Sequence, residues 1–195
     1  MERDGIVLNI TGDTVALGPP RRDLVETYSR WRNDFGIMYR LEDVSPKTLD
    51  AEIERVETLG TNPATVRFTI YDRATLTPIG TTALNDIDLA NGSAEYSILI
   101  GEADYRGRGY GTETTRLVLD YAFTALGLHT LLLRVFSYNP AAQRAYEKAG
   151  FRAFGRQREA RMMGGRWWDV VYMEALASEF ASPVLGRIFS PDVPR

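Results

Sequence analysis

The residues best suited to chemistry lie in one run, Arg106-Gly107-Arg108-Gly109-Tyr110-Gly111-Thr112. Three glycines can close backbone amides around an anion, because no side chain stands in the way. Two arginines add full charge and forked donors that suit phosphate. Ahead of the run, Ile98-Leu99-Ile100 ending at Gly101 predicts a short buried strand. After it, residues 112–126 carry Leu117, Val118, Tyr121, Ala122 and Ala125 at helical spacing. A helix start offers unpaired N–H groups and a partial positive charge. The run is therefore placed to hold a phosphate or pyrophosphate. It is not a P-loop, which needs Gly-Lys-Ser/Thr, and it is not a dinucleotide fingerprint, because Gly111 comes one residue early.

A second run, residues 139–151, adds to the first. Asn139 reads as a helix cap, Pro140 as its first residue and Gly150 as its stop. Tyr146 falls two turns beyond Asn139 on the same helix face. The pattern Arg106-x-x-Gly109-x-Gly111, followed one strand later by Asn139-x-x-Ala142-x-x-x-Tyr146-x-x-x-Gly150-Phe151, resembles the two signatures of the GCN5-related N-acetyltransferases (GNAT). The likeness is nearest the RimJ/RimL-like branch. It covers residues 31–176 and is densest within 94–160.

That resemblance implies an α/β protein with a GNAT-like mixed central β-sheet flanked by helices, the acyl-CoA N-acyltransferase fold. It implies a single N-acetyltransferase domain over residues 1–177 with a C-terminal tail, 178–195, and acetyl-CoA as co-substrate. A V-shaped opening is expected between the strand at 95–100 and the strand at 131–136. Backbone groups of Leu99, Ile100 and Gly101 would pair with the pantetheine arm like an added strand. Arg106, Gly107, Arg108, Gly109, Tyr110, Gly111 and Thr112 would hold the phosphates. Asn139 would touch pantetheine as well as cap its helix. Tyr146 would protonate the departing CoA thiolate, which a phenol of pKa about 10 can do when held close; packing in the core is its other reading. Glu95 is the candidate general base, acting directly or through water, and a solvated strand-end charge is the alternative. Asp86 and Glu113 are further candidates.

The acceptor side is less defined. Trp31, Asn33 and Asp34 after the first helix, with Trp167, Trp168 and Asp169 in the last hairpin, are the expected lining, although each alone also reads as core or turn. Arg152, Arg156, Arg158, Arg161 and Arg166 would meet an acidic acceptor or the adenosine 3′-phosphate, or form a solvated face. The resemblance implies a primary amine as acceptor: a protein N-terminus, as in RimJ/RimL-like proteins, or an antibiotic, a polyamine or an amino-acid-like molecule. A non-catalytic acyl-CoA-binding sensor is the rival of another class.

Composition narrows the field. The chain has 195 residues, 44% hydrophobic, with a formal net charge of −3, enough for one substantial core and the wrong sign for a direct nucleic-acid partner. It has no cysteine, which excludes an acyl-cysteine intermediate and leaves direct transfer in a ternary complex. His129 is the only histidine, so zinc motifs and His-based triads cannot be built, and no metal is expected. No signal peptide or membrane-length apolar run is read, and a cytoplasmic protein is expected. A homodimer through the last strands or the tail is compatible with the sequence.

The elements that position these residues follow from local signals. Residues 6–10 and 15–17 predict a hairpin around Thr11-Gly12-Asp13, and 23–33 a helix. Ser45-Pro46 predicts the start of a second helix that stops near Leu59-Gly60. Strands are expected at 66–71 and 79–84, with Asn91-Gly92 turning the chain into the strand at 95–100. Gly127 should close the central helix. Strands at 151–155 and 169–176, joined through Gly164-Gly165, complete the plan.

Overall fold

The computed structural model describes residues 2–3, 5–41, 43–59 and 62–190. A two-stranded ribbon, β1 (Glu2–Arg3) with β2 (Ile6–Val7), precedes the main sheet. That sheet holds β3 (Ile10–Thr11), β4 (Val15–Gly18), β5 (Val66–Asp72), β6 (Pro78–Asp88), β7 (Ser93–Ile100), β8 (Thr130–Phe136), β9 (Arg152–Met163) and β10 (Arg166–Leu176). Their order is β3-β4-β5-β6-β7-β8-β10-β9. Every pairing is antiparallel except β7 with β8, so the sheet is mixed as expected.

Helices cover both faces. On one face lie α1 (Val25–Asn33), the single turn α2 (Phe35–Met38) and α3 (Leu49–Leu59); Tyr28 of α1 reaches the sheet, its hydroxyl 2.6 Å from Thr69 Oγ1. On the other lie α4 (Tyr110–Asp120) and α5 (Pro140–Ala149), where Tyr96 pairs with Thr115 and Phe68 meets the ring of Tyr121 edge-on. The main core sits under α4 and α5, around Ile70, Leu84, Val118, Leu119, Leu131 and Phe151.

Several boundaries differ from the sequence reading. Ser45-Pro46 does not start α3. The Ser45 amide instead donates to Asp43 Oδ1, and Thr48 caps the helix three residues later through Ala51 N. The expected stop at Gly60 lies outside the described residues. The central helix passes into a π-turn, Tyr121–Ala125, before Gly127 takes φ +68°. β9 and β10 are far longer than expected. β9 is an edge strand with mostly exposed, arginine-rich residues, so it lacks the apolar alternation that marks a strand. Gly164 (φ +61°) and Gly165 (φ +76°) form the tight turn between them.

The tail has a definite anchor. Asp120, fully buried at the end of α4, accepts from Ser182 Oγ at 2.5 Å, Leu185 N at 2.8 Å and Val184 N at 2.9 Å. Leu185 is buried, and Phe180 packs edge-on against Phe123. Residues 191–195 of the expected tail lie outside the described residues.

Candidate active site

The opening between β7 and β8 is a product of strand pairing. The two strands share only three pairs, Ser93↔Thr130, Ala94↔Leu131 and Glu95↔Leu132. Beyond these, β7 stays bound to β6 as far as Ile100, while β8 stays bound to β10 as far as Phe136. Each half of the sheet keeps its own strand, so a gap opens between residues 96–100 and 133–136. It leads into a cleft of about 470 Å³.

The register decides which peptide groups face that gap. Gly101 N donates to Ile79 O at 2.8 Å, across the β6 side. In an antiparallel ladder such pairs recur at every second residue. Leu99 therefore also turns its backbone toward β6, and Ile98 and Ile100 turn theirs toward the gap. Two expectations are corrected. Leu99 meets the cleft through its side chain. Gly101 has both backbone groups engaged, its carbonyl accepting from Arg106 Nη2 at 2.8 Å. It is glycine because a Cβ there would stand 2.2 Å from the Trp31 ring.

The glycine run forms the floor. Gly109, at φ +94°, is the N-cap of α4 and offers no side chain to the helix start. The amides of Tyr110, Gly111 and Thr112 thus lack intrahelical acceptors. Gly107, at φ +72°, precedes them. A Cβ built on Gly107, Gly109 or Gly111 meets nothing within 4 Å, so open space lies over the amides. This cradle suits a pyrophosphate.

The side chains of the run act otherwise than expected. Arg106 turns back on the sheet, donating from Nε to Ile100 O at 3.0 Å as well as to Gly101 O. It fixes the loop and is not a free phosphate clamp. Arg108 points outward to Asp104 O at 3.3 Å and is not part of the cleft lining. Tyr110 plunges into the core, where its hydroxyl donates to Asp72 Oδ2 at 2.5 Å. Only the backbone of Tyr110 is available to a ligand.

α5 supplies the wall. Asn139 Oδ1 caps it by accepting from Ala142 N at 3.2 Å, and the residue also lines the cleft. Tyr146 lines it too. Its ring is held edge-on between Tyr96, 6.2 Å away, and Phe151, 6.1 Å away. Its hydroxyl has no hydrogen-bond partner among the described residues, and burial pushes its pKa up to about 12. The phenol is therefore held neutral and ready to donate.

Glu95 lies at the vertex of the gap. Tyr96 points toward α4, so by strand alternation Glu95 points to the opposite face. The carboxylate is gripped by Arg134, with Nε–Oε1 2.9 Å and Nη2–Oε2 3.2 Å. Glu95 and Tyr146 thus flank the gap from opposite sides of the sheet. Glu113 is excluded as a base. Its carboxylate accepts from Asp13 N at 2.5 Å, Thr14 N and the Thr14 hydroxyl, tying α4 to the β3–β4 turn. Asp86 sits exposed at a bulge in β6, at φ +50°.

The expected acceptor residues do not form one pocket. Trp31 is 1% exposed, a core ring whose Nε1 donates to Glu102 Oε1 at 2.9 Å. Asn33 holds the α1–α3 connection together, through Ser29 O, Lys47 O and Lys47 N. Asp34 caps α2 by accepting from Gly36 N at 2.7 Å. Trp168 stands one ring behind the cleft: it meets Tyr138 edge-on, and Tyr138 stacks on Phe136, a lining residue. Trp167 is exposed. Asp169 is occupied by Arg156 and by Glu159 N. The arginine run disperses likewise. Arg152 pairs with Glu179, Arg161 binds Leu41 O, and Arg166 stacks on Trp168.

Among the cleft residues outside the expected site are five side chains from three places. Arg40 and Leu41 enter from the α1–α3 connection, Arg134 from β8, and Arg144 with Lys148 from α5. The last pair was findable, since both follow Ala141 at helical spacing. The first was not, because it depends on remote ties: Tyr138 Oη donates to Tyr39 O at 2.7 Å and Arg161 Nη2 to Leu41 O at 2.9 Å. These bonds strap residues 39–41 to Tyr138 and to β9, with Arg40 and Leu41 on the cleft lining.

A parted parallel pair in a mixed sheet, followed by a glycine cradle at a helix start, is the architecture of the acyl-CoA N-acyltransferase fold. The family model "Acetyltransferase (GNAT) domain" matches residues 15–152, and the chain belongs to that family. Acetyl-CoA is the family's acetyl donor, and the cradle fits its pyrophosphate. The chain is 36% identical over 114 residues to spermidine N(1)-acetyltransferase of Vibrio cholerae, covering 58% of this chain and 65% of that one. The chain thus spans just under two thirds of that curated relative by sequence. By structure the likeness is fuller. The crystal structure of Vibrio cholerae spermidine N-acetyltransferase in complex with CoA and spermine matches with a TM-score of 0.79 at 30% identity, covering 85% of this chain and 97% of that one. A dodecameric structure of the same enzyme matches at 0.73, also at 30% identity, over 85% and 95% of the two chains. No helix among the described residues is long and apolar enough to cross a membrane.

Proposed function

We propose that the protein acetylates a primary amine of a small molecule, the amine attacking the acetyl donor directly while both are bound. The observation that carries this is the unpartnered Tyr146 hydroxyl on the wall of the gap that opens beyond Glu95 and Leu132. Acetyl-CoA supplies an acetyl group as a thioester. The amides at the start of α4 bind its pyrophosphate, and Arg144 and Lys148 on α5 are placed to meet its remaining phosphate. Backbone groups of Ile98 and the amide of Ile100, whose carbonyl Arg106 already holds, pair with the pantetheine amides. Tyr146 holds the proton that the departing thiolate takes. Glu95, on the other side of the gap and oriented by Arg134, receives the proton that the amine loses, directly or through water.

Two observations bear on the acceptor. The strap formed by Tyr39, Arg40 and Leu41 holds Arg40 and Leu41 at the cleft lining, which favours a small molecule over the protein N-terminus of the RimJ/RimL-like reading. The likeness to a spermine-bound enzyme makes a polyamine the second reading. Against it, the described cleft lining has five cationic side chains, and Glu95, the carboxylate beside the gap, is already paired with Arg134, whereas a polyamine brings several ammonium groups. A cytoplasmic, oligomeric enzyme accords with the cysteine-free sequence and the dodecameric relative. Thiol release from acetyl-CoA, measured over a panel of polyamines, amino-acid-like amines and peptides, tests the reading. Turnover of small amines with none on peptides is the expected result. Turnover of peptides alone would overturn it.

A further inference from the structure

On the sheet face opposite α4, three arginines from three elements converge on one carboxylate. Arg32 comes from α1, Arg55 from α3 and Arg67 from β5. Glu52, only 2% exposed, takes Arg55 in a two-pronged ion pair, and its Oε2 stands 3.5 Å from Arg32 Nε. Arg67 reaches the cluster from a strand paired with β6, and no ion pair to its side chain is found among the described residues. Arg32 Nε, Arg55 Nη1 and Arg67 Nε are all buried without a hydrogen-bond acceptor. Three cations thus surround a single buried anion among the described residues.

This arrangement is costly as it stands. Burial and the neighbouring guanidinium groups push Arg67 down to about 9, and burial with Arg55 lowers Arg32 as well. A buried cation without a partner is strongly unfavourable, and methionine-sized apolar side chains would fill the same space at less cost. Guanidinium groups that converge with donors to spare match the oxygens of a carboxylate or phosphate. The side chains of Arg32 and Arg55 are 28% and 21% exposed, so the cluster is reachable from solvent.

We propose that Arg32, Arg55 and Arg67 form an anion-binding site for a small molecule bearing a carboxylate or phosphate group. None of the three lines the CoA cleft, and the cluster lies on the same sheet face as Glu95. The anion is therefore either the acid group of the acceptor itself or a separate effector. The site does not depend on the acetyl-transfer reading, because binding alone reveals it.

The test is thermal unfolding of the full chain with CoA present, at constant ionic strength, titrated with inorganic phosphate or succinate against sodium chloride. At ten times its dissociation constant, the anion should raise Tm by about 3–6 °C over the chloride control. Arg67→Met should lose that rise, and without anion it should melt no lower than the wild type. Arg32→Met provides a second variant. Initial rates then assign the source. Rate changes by phosphate or succinate with an acceptor lacking an acid group identify an effector. A wild-type preference for an amino acid over its decarboxylated amine, lost in Arg67→Met, places the anion on the acceptor. No rise beyond chloride in the wild type would overturn the site, whether or not the variants fold. An equal rise in wild type and both variants would overturn it too.

Discussion

The two walls of the cleft are built on different principles. In the proposed reading the CoA side rests mainly on backbone, the amides at the start of α4 and peptide groups of Ile98 and Ile100, to which α5 adds Tyr146, Arg144 and Lys148. The proposed acceptor side rests on contacts made over long sequence distances, Tyr39 to Tyr138, Leu41 to Arg161, Glu95 to Arg134. A backbone site tolerates exchange of most side chains and fails at glycines. A side-chain site can be rebuilt residue by residue. The difference explains how one fold keeps a single donor while its acceptors vary.

The largest effect should come from Tyr146→Phe, which removes the donated proton and leaves the packing with Tyr96 and Phe151. We expect kcat to fall roughly 10²–10³-fold, with acetyl-CoA affinity within a factor of three. A silent substitution would support a CoA-binding sensor instead. Because burial raises the Tyr146 pKa to about 12, the neutral acid persists as pH rises. The pH profile of kcat should then show no alkaline fall from this group below about pH 10.5.

Asp120→Ala separates the start of α4 from its end. It removes the acceptor for Ser182, Val184 and Leu185 and leaves buried donors unpaired. A loss of about 3 kcal/mol is expected, lowering Tm by about 6–12 °C. Acetyl-CoA affinity, measured below the transition, should stay the same if the cradle is set locally. Gly109→Ala attacks the cradle itself, straining a residue at φ +94° and adding a methyl group to the open floor. We expect roughly tenfold to hundredfold weaker acetyl-CoA binding. Tyr138→Phe is the mildest test. It releases one bond of the strap and should raise the KM for amine about threefold, leaving the donor's KM unchanged.

The same contrast governs how much was legible in the sequence. The glycine cradle, the Asn139 cap and the placement of Tyr146 follow from local rules about φ angles and helix spacing, so they could be read directly. Leu99 and Gly101 were misassigned by one position because strand register depends on Ile79, a partner that spacing does not reveal. Trp31 and Asn33 read as pocket residues in the sequence because residue type does not distinguish a buried ring or a loop brace from a lining group. Arg106 and Tyr110 sit where expected, yet their side chains turn to Ile100 and Asp72. The tail was unreadable because its anchor, Asp120, lies 62 residues before Ser182.

The most direct test of the account is calorimetric titration of acetyl-CoA into the wild type, Gly109→Ala and Tyr146→Phe. One saturable site per chain is expected, weakened at least tenfold by Gly109→Ala and nearly unchanged by Tyr146→Phe. Absence of binding to the folded wild type, or equal binding by Gly109→Ala, would contradict a backbone cradle at the start of α4.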